Sequence, residues 1–227
     1  MEHCSAIIVA AGSSRRAGFD KLMARLGGRL VLQRSLDVFL ASPRVDEVVL
    51  VCPQERFDQL DLQQAGAKRV VRVDGGSERH FSVAAGLEVL SDGAQYVAIH
   101  DGARPLLHPK QLERCIEALS EHPAVASAHP IVDTLKRADD NGRTLGHGVD
   151  RSHLWAMETP QIFDLTMLRR AYDKVMSSGS LVTDEVSAME TIGCSTYLVR
   201  NPYPNNKITL PEDIAIAEAL LPLSVGE

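Results

Sequence analysis

Short runs of apolar, mostly β-branched residues recur along this chain with helical patterns between them. That alternation constrains the fold more than any other feature. Ser5–Ala10, Glu47–Cys52, Arg69–Val73, Tyr96–His100 and Ala124–His129 read as strands. Leu30–Leu40, Arg79–Leu90 and Pro109–Leu119 read as helices, the last opened by a proline where a first turn tolerates one. Helical patterning resumes at Leu165–Val175 and Asp184–Ile192, followed by a strand at Thr196–Val199 and a helix from Pro211. Strand–helix alternation predicts an α/β fold, a parallel sheet with helices on both faces. Ligands in such sheets bind beyond the carboxyl ends of the strands. Gly12, Gly75-Gly76 and Asp101 each follow a predicted strand, so the fold should bring them to one edge.

The segments at those strand ends suggest anion chemistry. Ala10-Ala11-Gly12-Ser13-Ser14-Arg15-Arg16 follows the first strand, with Lys21 a little further on. Gly12 lets backbone approach a ligand, exposed N–H groups favour anions, and Arg16 and Lys21 supply full charges for a triphosphate. Gly75-Gly76-Ser77-Glu78-Arg79 permits a tight turn against a flat ligand, with the Ser82 hydroxyl in reach of a base or sugar. Asp101, at the end of the fourth strand, is placed to hold Mg²⁺ facing a triphosphate. His100 reads as a packed, hydrogen-bonded core histidine. Asp184 and Glu185 read as helix-start residues, where negative charge is favoured.

After Pro130 the pattern breaks. Asp133 to Asp150 is polar, and Asp139-Asp140-Asn141-Gly142 is a strong turn signal. The segment reads as a β-hairpin arm projecting from a single domain that spans 1–227, since structureless loops of this length are uncommon in compact domains. The chain's 227 residues, 44% of them hydrophobic, suffice for one large core. A net charge of −6 argues against nucleic-acid binding. No apolar run approaches the ~18 residues of a membrane span, and no signal-peptide pattern opens the chain. Cys4, Cys52, Cys115 and Cys194 are widely spaced, without a metal-binding pattern, as expected of reduced thiols in a cytoplasmic protein.

Taken together, the segments GGSERHFSVAAGL, HDGARP, DTLKR, ETPQIF, TDE and NNKIT, in this order with the opening AAG and Lys21, resemble the 2-C-methyl-D-erythritol 4-phosphate cytidylyltransferase family from about Ser5 to Leu221. The resemblance implies a Rossmann-like nucleotidyltransferase fold with a protruding arm, and a homodimer. It also implies CTP and methylerythritol phosphate as substrates, with Mg²⁺. Residue by residue, it assigns Ala10, Ala11, Gly12, Arg16 and Lys21 to the triphosphate and Gly76 and Ser82 to cytidine. Asp101 falls to the metal, and Thr134, Arg151, Thr159 and Lys207 to the acceptor. The implied step is attack by an acceptor phosphate oxygen on the α-phosphorus of CTP. The nucleophile is already an anion, so catalysis rests on positioning and charge rather than on a general base. Arg16, Lys21, Arg151 and Lys207 would carry that charge.

The chain departs from the family pattern at Ser14, where glycine is common, and at Asp20, where proline is common. Its Arg16-to-Lys21 spacing is also short. Asp20 is placed to offset part of the charge on Lys21. A cytidylyltransferase for another sugar-alcohol phosphate, such as ribitol 5-phosphate, is the nearest alternative, and a non-catalytic nucleotide sensor is another. A dehydrogenase is disfavoured, because the first turn lacks GxGxxG and Val51-Cys52-Pro53 ends the second strand without an acidic residue.

Overall fold

The computed structural model describes residues 2–12, 18–146, 148–179 and 182–224. In chain order its strands are β1 (Cys4–Val9), β2 (Arg25–Leu26), β3 (Arg29–Leu30), β4 (Val45–Val51), β5 (Arg69–Val73), β6 (Tyr96–Asp101), β7 (Ala124–Pro130), β8 (Trp155–Asp164) and β9 (Tyr197–Arg200). The helices are α1 (Val31–Ala41), α2 (Gln54–Phe57), α3 (Arg79–Leu87), α4 (Pro109–Glu117), α5 (Leu165–Ser178), α6 (Glu185–Glu190) and α7 (Glu212–Ser224). Seven strands form one sheet in the order β5-β4-β1-β6-β8-β7-β9. All its pairings are parallel except those of β8, which is antiparallel to β6 and β7. The mostly parallel α/β sheet expected from the sequence is present, with one reversed strand within it.

Burial explains why the strands read as unbroken apolar runs. Alternate residues of β1 enter different cores: Ala6 and Ile8 pack with Leu32, Leu36 and Phe39 of α1 and with Leu112 and Ile116 of α4. Ile7 packs on the opposite face with Val83 and Leu87 of α3 and with Leu168 and Val175 of α5. Both faces are therefore covered, as a parallel sheet requires. Full burial of each such aliphatic side chain stabilises the fold by about 2 kcal/mol. Local signals set the helix boundaries. His108 accepts from the Lys110 amide ahead of Pro109, Asp164 accepts from the Met167 amide, and Gly179 ends α5 with φ +65°.

β8 went unread in the sequence because Glu158-Thr159-Pro160-Gln161 interrupts its apolar pattern. Its register with β7 runs from Ala126↔Gln161 to Ala128↔Met157, so Glu158, Thr159 and Pro160 bulge opposite Ser127. Bulges re-aim side chains, and this one sets Thr159 against the carboxyl end of β6 and Glu158 against Ser127 and His129 of β7. The 133–150 segment doubles back on itself. The Leu145 amide donates to Arg137 O at 2.7 Å, Asp139 to Arg143 O at 2.9 Å and Val149 to Leu135 O at 3.2 Å, with Gly142 at φ +77° in the turn. Among the described residues, no helix is long and apolar enough to cross a membrane.

Candidate active site

Asp101 ends β6 in the middle of the sheet edge and is 8% exposed. Nε of Arg79 donates to its Oδ1 at 3.1 Å, and Nζ of Lys207 donates to its Oδ2 at 2.7 Å. Nε of Arg104 lies 3.8 Å from the same Oδ2. Burial opposes ionisation of this carboxyl, but Arg79, Lys207 and Arg104 outweigh it and hold Asp101 well below the usual carboxylate range. Asp101 is therefore an anion throughout the physiological pH range.

Its cations are anchored in turn. Arg79, the first residue of α3, forks onto Glu185 through Nη1 at 2.6 Å and Nη2 at 2.9 Å. Glu185 is 1% exposed and also accepts from the Tyr172 hydroxyl at 3.0 Å. Burial opposes the charge on Arg79, but Glu185 and Asp101 overcome it and raise its pKa. Glu185 does begin α6, as the sequence suggested, yet its carboxylate serves as the buried counter-ion of Arg79. Arg104 donates to Asn205 O at 2.7 Å and Met157 O at 3.3 Å. Glu185 takes up the charge of Arg79, while Lys207 and Arg104 share Asp101, and Arg104 also faces the buried Glu158 carboxylate.

A hydrogen-bonded chain fixes the backbone at Asp101. Its amide donates to Thr159 Oγ1 at 3.1 Å, and Thr159 Oγ1 lies 2.9 Å from His100 Nδ1. His100 Nε2 stands 3.2 Å from Arg104 O, which can only accept. The ring is thus protonated on Nε2, and the threonine hydroxyl donates to Nδ1. Burial pushes the pKa of His100 down to about 4, so the ring is neutral. This is the core histidine expected from the sequence. Thr159 is 3% exposed, with its hydroxyl committed to this chain.

Beside it, Glu158 gathers four donors. Asn201 Nδ2 at 2.7 Å, Asn205 Nδ2 at 3.0 Å and Ser127 Oγ at 3.0 Å reach Oε2, and His129 Nδ1 at 2.8 Å reaches Oε1. Asn205 Nδ2 also donates to Thr159 O at 2.8 Å, which ties the Lys207 loop to β8. A cleft of about 640 Å³ opens here, lined in part by Arg104, His129, Glu158, Asn205 and Lys207.

Across the edge lie Ala10, Ala11 and Gly12. A Cβ on Gly75 would stand 2.1 Å from Ala11 Cβ, and one on Gly76 would stand 2.3 Å from Phe81 Cβ. Gly75 thus lets the turn lie against the first loop, and Gly76 lets it lie against the start of α3. Ser82, 3% exposed, accepts from the Gly76 amide at 3.1 Å and donates to Glu78 O at 3.2 Å, so it shapes this turn. Arg16 lies outside the described residues. Lys21 is half-buried in the turn leading to β2. The Asp20 carboxylate is taken up by Arg56 at 2.8 Å. Thr134 and Arg151 sit on the exposed arm and at its base, where Arg151 donates to Val132 O. Among the described residues, no hydrogen bond or ion pair joins either of them to Asp101, Thr159 or Lys207.

Sequence reasoning gave no role to Arg79, Glu158 or Arg56, and read Glu185 only as a helix-start residue. A buried strand-end carboxylate implies a counter-ion, and an arginine opening the next helix was the available signal for Arg79. The other three depend on contacts distant in sequence. Cys4, Cys52 and Cys115 are buried free thiols pushed up to about 12, 11 and 12 by burial, in keeping with their reading as reduced thiols. No group of three or more His, Cys, Asp or Glu side chains converges among the described residues.

A mostly parallel sheet with a close-approach Gly-Gly turn and an ionised carboxylate set among cations at its strand ends defines an α/β protein whose ligand site lies at that edge. Residues 4–222 match the family model described as IspD, 2-C-methyl-D-erythritol 4-phosphate cytidylyltransferase, and the chain belongs to that family. It is 40% identical over 228 residues to the Escherichia coli protein of that name, covering 98% of this chain and 95% of the relative. The identity is 38% over 227 residues, with 98% of both chains covered, to the Geobacillus kaustophilus protein of the same name. Among solved structures, it is similar to 4-diphosphocytidyl-2C-methyl-D-erythritol synthase from Anaerococcus prevotii. That likeness has a TM-score of 0.85 at 32% identity and covers 97% of this chain and 96% of that one. The chain is accordingly a cytidylyltransferase.

Proposed function

We propose that this chain joins CTP to 2-C-methyl-D-erythritol 4-phosphate, forming CDP-methylerythritol and pyrophosphate in isoprenoid biosynthesis. The observation that carries the reading is Asp101, ionised among Arg79, Lys207 and Arg104 where the Gly-Gly turn, the first loop and β8 meet. In this reading Ala10, Ala11, Gly12, Arg16 and Lys21 receive the triphosphate. The turn at Gly76, shaped by Ser82, takes cytidine. The acceptor phosphate enters from the side of the cleft, where Lys207 and Arg104 offset repulsion between the two anions. Thr159, its hydroxyl committed to Asp101 and His100, serves the acceptor side by holding the Asp101 backbone.

A hard divalent ion suits this donor set. Asp101 would hold Mg²⁺ through its ionised carboxylate, since that ion is commonly bound by one or two carboxylates together with substrate phosphates. Held by Asp101, Mg²⁺ would neutralise charge on the triphosphate. Lys207, now paired with Oδ2, would be the cation available to the phosphoryl oxygens. Thr134 and Arg151 reach the acceptor of a second copy, which makes the arm at about 133–150 a dimerisation element on a single 1–227 domain. The free buried thiols accord with a cytoplasmic setting.

Pyrophosphate release with methylerythritol phosphate, measured with each of the four common NTPs, tests the reading. CTP should exceed the others by at least about 100-fold in kcat/KM, because a site built to hydrogen-bond one base leaves buried polar groups unpaired with another. Comparable kcat/KM with ATP, or faster release with ribitol 5-phosphate as acceptor, would overturn it.

A further inference from the structure

Arg56 stands on α2, far from every motif read in the sequence, yet its guanidinium turns into the first loop and is 8% exposed. Its N–H groups are used in three directions. Nη1 donates to Ala10 O, Nη2 donates to Gly12 O at 3.0 Å, and Nε donates to Asp20 Oδ2 at 2.8 Å. Ala10 and Gly12 lead into the loop, and Asp20 leaves it immediately before Lys21. A single buried side chain thus ties entry to exit. The entry is fixed to the sheet, since the Ala10 amide donates to Val51 O at 2.8 Å. The exit is fixed as a turn, since Asp20 Oδ1 accepts from the Leu22 amide at 3.2 Å and Asp20 O from the Met23 amide at 3.1 Å. Asp20, which read as a partner for the charge of Lys21, therefore serves as the ionic end of this clamp.

We infer that Arg56 is a positioning residue for the nucleotide triphosphate, acting by clamping Ala10, Gly12 and Asp20 so that the backbone before the loop and Lys21 after it keep a fixed separation. The inference rests on the proposed role of this loop in binding CTP. Planar geometry is essential to it. Only a guanidinium offers a rigid fork of donors for two carbonyls and a carboxylate at once, whereas a lysine ammonium is a point charge on a flexible stem.

Arg56→Met, Arg56→Lys and Asp20→Asn test the clamp through two readouts. Arg56→Met should raise KM for CTP by about tenfold or more, with KM for methylerythritol phosphate within about twofold of the parent. Arg56→Lys should restore little of this, and Asp20→Asn should give an intermediate loss. In the ligand-free protein, hydrogen exchange at the Leu22 and Met23 amides should accelerate in Arg56→Met, while the amides of β1 and β6 keep their protection. Three results would overturn the clamp: unchanged exchange at Leu22 and Met23, full rescue by lysine, or an equal rise in both KM values. Failure of the parent protein to use CTP would instead remove the proposed substrate and leave the exchange result standing on its own.

Discussion

Asp101 and Thr134 are assigned to one reaction, yet they occupy opposite physical settings. Asp101 sits at the end of a strand covered on both faces, and each buried charge around it has a partner that is itself held. Thr134 sits on an arm whose described residues are mostly exposed and whose two sides meet through a few backbone bonds and one bridge, Ala138↔Thr144. The arm and its root present apolar side chains to solvent, with Val132 76% and Leu145 53% exposed. The strand-end centre is preorganised by the core of its own chain. The arm lacks such a core, and a two-stranded ribbon alone is marginal in water. Under the proposed dimer, one half of the site is built by folding and the other by association.

The largest effect is expected from Asp101→Asn, which tests whether the packed half carries the chemistry. Turnover should fall by about 10³-fold or more, several kcal/mol of transition-state stabilisation. The same change leaves Arg79, Lys207 and Arg104 facing one another without their shared anion. Stability should drop by about 2 kcal/mol once screening at the more exposed Lys207 is allowed for, or roughly 5 °C in Tm. Steady-state kinetics and calorimetry on one preparation check both. Near-normal turnover at limiting Mg²⁺ would take the centre out of the mechanism.

A second effect sharpens the claim of preorganisation. The pKa of His100 is lowered from 6.5 to about 4 in the folded protein. Between those values the unfolded chain binds more protons than the folded one, so stability rises with pH through that window and is complete above it. Acidification from pH 7 to 4 should cost up to roughly 3 kcal/mol through this residue. Asp101, depressed in the folded state, adds a further loss only below the ordinary carboxylate value. Urea titrations across this range should show the slope, and His100→Gln should flatten it. An unchanged slope in that variant would place the acid sensitivity elsewhere.

The smallest signal concerns the arm. Thr134→Ala and Lys207→Ala subunits, each inactive alone, should regain activity on mixing if those residues reach one site from different chains. Random pairing gives heterodimers in half the population, each with one intact site, so recovery should approach roughly a quarter of parental activity. A fully active monomer in sedimentation would break the comparison, because both halves would then belong to one chain.

Most strands and helices were legible because their signals are local. Val48-Val49-Leu50-Val51 is buried on both faces and reads as an unbroken run. Pro109 and Asp184 mark helix starts within the residues they serve. The strand ends also showed where Gly12, Gly75-Gly76 and Asp101 would gather, since the chirality and order of α/β units leave few other arrangements. β8 was not legible, because Glu158, Thr159 and Pro160 break its pattern at the bulge that serves the site.

The sequence by itself determined the α/β class, the family and the edge where the chemistry gathers. The class and the edge follow from spacing along the chain, and the family from the motifs it resembles. Only the tertiary structure decided that Glu185 neutralises Arg79, that Glu158 fixes the Lys207 loop, and that Arg56 closes on Asp20. A buried charge is tolerable only beside its partner, and which partner that is depends on distances between segments remote in sequence.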